Sequence, residues 1–105
     1  MVKQFDVYWV DLNPTVGSEM IKIRPCVVVS PKELNDHLDT VIIVPVTSSI
    51  HGYPYRVACH IMGCDGEIAT DQIRTIDKRR LRNLIAVLTD DEIAALQDVL
   101  RQMFC

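Results

Sequence analysis

A chain of 105 residues suits one domain, expected to span 1–105, and leaves no room for a second. Hydrophobic residues make up 49% and charged residues 24%, a globular composition that excludes a disordered chain, and a net charge of −3 argues against a non-specific coat for nucleic acid. No apolar run approaches the ~20 residues of a membrane span and the opening MVKQFDVYWV lacks a signal-peptide pattern, so a soluble, cytoplasmic protein is expected.

In chain order, FDVYWVDL (5–12) mixes β-branched and aromatic residues and is closed by NPTVG, which predicts a strand. CVVVS (26–30) predicts a short buried strand. SPKELNDHL follows with Ser30 as N-cap, Pro31 at the first helical position and Glu33 three residues after the cap, a capping box that opens a short helix. TVIIVPVT (40–47) predicts another buried strand, in which Pro45 implies an edge or a bulge. Beyond the loop SSIHGYP, the alternation of YRVACHIM predicts a half-buried strand. GCDG then reads as a turn, EIATDQIRTID as a short strand with an irregular corner, and LIAVL as one more strand.

In the tail, Thr89 and Glu92 form a second capping box, and Ile93, Leu96, Leu100, Met103 and Phe104 recur at helical spacing. An amphipathic helix packed on a sheet follows, with an oligomer interface as the lesser alternative for its apolar stripe. Short strands, tight turns and two helices predict an α+β, mainly β fold: a small, strongly bent antiparallel sheet or barrel.

The chemistry-bearing motifs are few. Phosphate-binding glycine loops, H-E-x-x-H and G-x-S-x-G are absent, and the carboxylates are scattered, so no metal and no cofactor is expected. Cys59 and Cys64 are spaced C-x4-C around His60, but without a second pair of ligand spacing. Reduced thiols are the expected state of all four cysteines, with Cys26 buried. Five of the 11 basic residues, Arg74, Lys78, Arg79, Arg80 and Arg82, fall within nine positions, a charge run expected to form a solvated face. Of the three histidines only His51 lies in a loop beside other polar groups.

The suggestive residues are a cation and hydroxyls at strand ends. Ser18 and Glu19 precede Arg24, which stands immediately before Pro25 and the apolar run; Thr47, Ser48 and Ser49 close the next long strand, and Asp71 and Gln72 follow later. If the two strands are neighbours, Arg24 and Thr47 share one rim, where such groups grip a phosphate and stabilise charge building on it.

The stretches DVYWVDLNPTVGSE, IRPCVVVSP, TVIIVPVTS, GYPYRV and DQIRTIDKRRL occur in the order and at the approximate spacing of the MazF/PemK family of bacterial toxins. The chain resembles that family from residue 5 to beyond 100. The resemblance implies an SH3-like antiparallel barrel of the CcdB/PemK-like toxin fold, with a short early helix and a C-terminal helix, assembled as a homodimer. It also implies a metal-independent, ribosome-independent, sequence-specific endoribonuclease acting on single-stranded mRNA, inhibited by a cognate antitoxin and touching DNA only through the antitoxin complex. Arg24 and Thr47 then match the family's catalytic pair. Ser18 matches a serine that helps at the phosphate, and Glu19, Lys22, Ser48, Asp71 and Gln72 are the further candidates for substrate binding.

This chain departs from the family in carrying Met20, Ile21, Lys22 and Ile23 where many members have glycine, and Phe5 where glycine is usual. Ser18 and Ala69 stand where one branch uses His and Arg, which favours Arg24 and Thr47 over Asp71. The alternative on the same fold is a non-enzymatic toxin that poisons DNA gyrase through its terminal-helix surface, for which LRQMFC is apolar enough. Tyr53 and Tyr55 are candidates to stack on bases, or to pack around Pro54.

Overall fold

The computed structural model describes residues 1–13, 17 and 23–105. It contains β1 (Asp6–Asp11), β2 (Ile23–Val28), α1 (Lys32–His37), β3 (Thr40–Thr47), β4 (Val57–Ile61), β5 (Cys64–Ile68), β6 (Arg74–Asp77), β7 (Leu81–Val87) and α2 (Asp90–Phe104). The strands form one antiparallel, curled sheet in the order β4-β5-β3-β2-β1-β7, with β6 also paired to β3.

The organising strand is β3. One of its edges pairs with β2; the other pairs with β6 from Thr40 to Ile43 and with β5 at Val46 and Thr47. Pro45 marks the exchange. It lies in the middle of the sheet rather than at an edge, in the two-residue gap Val44–Pro45 between the β6 and β5 pairings, and its carbonyl accepts the Ala69 N–H at 2.8 Å. A missing donor is tolerated there because the neighbour changes at that residue.

Both faces of the central strands are covered, which is why they read as continuous apolar runs. Val7, Val27, Val44, Val46 and Ile68 face one core, closed by Leu96 of α2; Val10, Cys26, Val28, Val41, Ile43 and Ile76 face the other. The predicted capping box of α2 is present: Thr89 Oγ1 accepts from Glu92 N–H at 3.2 Å, and Glu92 Oε1 accepts from Thr89 N–H at 2.9 Å. Glu92 also accepts the His60 N–H at 2.8 Å, so the cap of α2 satisfies a donor of β4, a strand at the end of the sheet.

Three further local expectations fail. Pro31, not Ser30, is the N-cap of α1, and no side chain caps that helix. The Ser30 hydroxyl is used elsewhere: it donates to Asn35 Oδ1 and accepts the Ile42 N–H at 3.1 Å, tying α1 to β3. GCDG is not the turn. Met62 and Gly63, both at positive φ (53° and 77°), make a two-residue hairpin, and Cys64 already begins β5. The last strand also starts earlier than LIAVL, at Leu81.

Candidate active site

Arg24 is held by its backbone on several sides. It pairs with Val10 of β1, precedes the φ-restricted Pro25, and its carbonyl accepts the Cys26 thiol at 3.6 Å. Pairing between β2 and β3 ends at Cys26–Pro45. The same register carried two residues further sets Arg24 opposite Thr47, so the two side chains share one face of the sheet with Cys26. Arg24, Thr47 and Ser48 line a cleft of about 500 Å³, together with Trp9, Pro25 and the β4–β5 hairpin.

Thr47 is buried and its hydroxyl is oriented: Oγ1 accepts the Ser49 N–H at 3.1 Å, which leaves the hydroxyl proton to donate. Across the sheet Thr47 pairs with Glu67 of β5. The neighbouring Gly66 is required by space, because a Cβ there would meet the Thr47 carbonyl oxygen at 2.7 Å.

Burial pushes the Cys26 thiol up to about 12, against the pull of two nearby cations, Arg24 and Arg74. Two guanidinium groups therefore share the region around Cys26, an environment suited to an anion. The basic segment is also more than a solvated face. Arg74 donates to the Leu12 carbonyl at 3.3 Å, Arg80 to the carbonyls of Asp11 (3.2 Å) and Asn13, and Arg82 approaches the Asp11 carboxylate at 3.5 Å. Carbonyl acceptors leave the charge of Arg74 and Arg80 in place while the bonds brace residues 11–13.

Of the predicted substrate-binding residues, Ser48 joins the cleft. Asp71 and Gln72 sit in a 3-10 turn that does not line it. Asp71 accepts two hydrogen bonds from Arg56, at 3.0 and 3.2 Å, which hold its carboxyl below the usual range. Ser18, Glu19 and Lys22 lie outside the described residues. Among the described residues no group of three or more His, Cys, Asp or Glu is placed to hold a metal ion, and no helix is long and apolar enough to cross a membrane. Cys59 faces the core while His60 pairs with Asp65 at 2.7 Å, so the C-x4-C stretch does not converge.

Glu67 is the residue that sequence reasoning missed. It is 5% exposed, and its carboxylate accepts the N–H groups of His51 (3.1 Å) and Gly52 (2.8 Å) and lies 3.6 Å from Arg56. These bonds, that from His51 foremost, hold its carboxyl below the usual range. An acid so occupied is a latch and a poor proton acceptor. Its partners are 15 and 16 residues away, beyond the reach of any local pattern.

The family model described as "PemK-like, MazF-like toxin of type II toxin-antitoxin system" matches residues 3–104. The chain is 30% identical to Endoribonuclease MazF of Staphylococcus epidermidis over 108 residues, covering 95% of this chain and 88% of that protein. Among solved structures it is similar to MazF (Form-I) of Deinococcus radiodurans, with a TM-score of 0.85 and 28% identity over 97% of this chain and 94% of that one. The MazE-MazF complex (Form-II) from the same organism aligns with a TM-score of 0.78 and 25% identity, covering 97% of this chain and 93% of that one. With both the curled sheet and nearly the full length accounted for, the chain belongs to the PemK/MazF-like toxins of type II toxin–antitoxin systems.

Proposed function

We propose that this protein is the endoribonuclease toxin of a toxin–antitoxin pair, that Arg24 and Thr47 are its catalytic residues, and that Ser48 contacts the substrate. The observation that carries this reading is that Arg24 and Thr47, 23 positions apart in sequence, line one cleft at the ends of the paired strands β2 and β3. The substrate class is single-stranded RNA. Its 2′-oxygen attacks the adjacent phosphorus while the bond to the 5′-oxygen of the next nucleotide breaks; the 2′-oxygen loses a proton and the 5′-oxygen gains one. The products are a 2′,3′-cyclic phosphate and a 5′-hydroxyl, and neither water nor metal enters the bond-making step.

The guanidinium of Arg24 is always protonated and offers paired donors, so it stabilises the charge that gathers on the non-bridging oxygens. Thr47 donates its hydroxyl proton to the same phosphate, its acceptor side being engaged by Ser49. Ser18, Glu19 and Lys22 belong to the same proposal through the family motif. Gyrase poisoning is not favoured, since the matching family is the MazF-like one and the S. epidermidis relative is an endoribonuclease. The MazE-MazF complex of D. radiodurans supports a cognate antitoxin as partner. A cytoplasmic homodimer, each subunit a single 1–105 domain, with DNA met only through the antitoxin complex, completes the reading.

The test is direct. Purified protein is incubated in EDTA with a defined single-stranded RNA, without ribosomes, and fragment ends are mapped. Cutting at a recurrent short sequence is expected; intact RNA, or cutting only after metal is restored, would reject the reading.

A further inference from the structure

Residues 48–56 connect β3 to β4, and the chemistry of Arg24 and Thr47 uses only Ser48 and the Ser49 N–H among them. The loop nonetheless exposes ordered aromatic groups. Tyr53 is 53% exposed. The His51 and Tyr53 rings stack with centroids 4.8 Å apart and planes 13° from parallel, and the Arg56 guanidinium carbon stands 5.0 Å from the centre of the Tyr53 ring.

The backbone beneath these groups is fixed before any ligand arrives. Glu67 accepts the N–H groups of His51 and Gly52, Thr70 Oγ1 donates to the Tyr55 carbonyl, and Arg56 N–H donates to the Tyr53 carbonyl at 3.3 Å. Arg56 is anchored in turn by both carboxylate oxygens of Asp71. Glu67 stands opposite Thr47 in the β3–β5 register, so their side chains share a face. The loop that Glu67 holds therefore folds over the face to which Thr47 and Arg24 belong.

We infer that the exposed His51–Tyr53 ring pair is a stacking platform for a nucleobase of the single-stranded RNA, one flanking the phosphate held at Arg24 and Thr47. The inference rests on the RNA-cleavage reading of that cleft. Every base has a π-face, so aromatic stacking suits a strand whose bases are unpaired, and a ring pair already ordered loses little freedom on binding. The platform gives Asp71 and Glu67 a shared purpose, since both carboxylates hold the loop that carries the rings.

The test compares two substrates: an RNA of a dozen or so nucleotides carrying the mapped cut site, and the dinucleotide of the cut step alone, too short to reach the platform. For Tyr53→Ala and His51→Ala, KM on the longer RNA is expected to rise about tenfold with kcat kept, because stacking on one aromatic side chain contributes affinity on that order. Cleavage of the dinucleotide should not change, and Tyr53→Trp should restore the wild-type KM. Binding of the longer RNA with a 2′-deoxy nucleotide at the cut, followed by fluorescence anisotropy, should weaken in parallel. Wild-type KM and affinity in Tyr53→Ala would overturn the platform, as would equal losses on both substrates or no rescue by Tyr53→Trp. Failure of the wild type to cut either RNA would overturn the cleavage reading instead, and the binding comparison would still decide the platform.

Discussion

On one side of the cleft, Arg24 and Thr47 are placed by strand register and an apolar core: Val10 and Pro25 fix the arginine, and β3 carries the threonine between β2 and β5. The 48–56 loop, of which Ser48 lines the cleft, is placed instead by charge, through Glu67, Arg56 and Asp71. The first side is built like the interior of the protein and should tolerate changes of pH and salt. The second depends on ionised carboxylates, so it can be loosened while the sheet stays intact. Under the proposed function, bond breaking belongs to the register and recognition of the flanking strand to the charged latch.

The largest effect should come from the register side. Arg24→Ala should lower kcat by about 10²–10³-fold with the fold retained, the usual loss when a donor to developing charge is removed. Arg24→Lys should recover little of it, because an ammonium lacks the planar fork. Single-turnover rates at saturating RNA would check both, and a loss confined to KM would erase the distinction between the two sides.

Gly66→Ala comes next. Its Cβ would fall 2.7 Å from the Thr47 carbonyl oxygen, so the strand must shift at Thr47. The expected cost is ~1–3 kcal/mol in stability, seen by urea unfolding, with kcat reduced more than KM is raised. An alanine variant with wild-type kcat would show that the placement of Thr47 is less demanding than the register implies.

Glu67→Gln should act on the latch. One of the two backbone N–H groups then loses its acceptor, and KM for a long RNA should rise a few-fold with kcat kept. The carboxyl of Glu67 is held below its ordinary value, so its stabilising effect is complete above the unfolded value of ~4.3 and disappears as pH falls through the lowered one. The difference in Tm between wild type and Glu67→Gln should therefore be full at neutral pH and close in acid. A gap that persisted at low pH would assign the difference to packing.

The smallest effect concerns thiols. Cys26 and Cys59 are buried, with their thiols pushed up to about 12 and about 11, whereas Cys64 and Cys105 are exposed. An alkylating reagent near neutral pH should modify only Cys64 and Cys105 in the folded protein, as read by mass spectrometry. The adduct on Cys64, which lines the cleft, should slow cleavage modestly; the adduct on Cys105 should not. Rapid labelling of Cys26 would contradict the packed core behind Arg24.

Much of this organisation is legible in the sequence because it is local or periodic. The β3 strand runs over the predicted residues, its apolar run closed by Thr47, and Thr89 with Glu92 announces α2. Arg24 before a proline and Thr47 at a strand end were recognisable as candidates, and the register of β2 and β3 supplied the reason for their meeting. Ser30 misled because its hydroxyl, a fit cap by pattern, finds a better partnership with Asn35 and Ile42 across the fold. The latch was invisible for the same kind of reason: Arg56 and Glu67 look like ordinary surface charges, and Asp71 like a substrate contact, until a loop and a 3-10 turn bring them together.

In the proposed reaction the RNA supplies its own nucleophile, on a phosphate held by Arg24 and Thr47. Once the cut site is mapped, an RNA with a single 2′-deoxy nucleotide at that site is compared with its all-ribose twin, and the product ends are identified by mass spectrometry. The expected result is an uncut deoxy substrate, with a cyclic phosphate and a 5′-hydroxyl from the ribose one. Cutting of the deoxy substrate, or a 5′-phosphate product, would rule out attack by the 2′-oxygen.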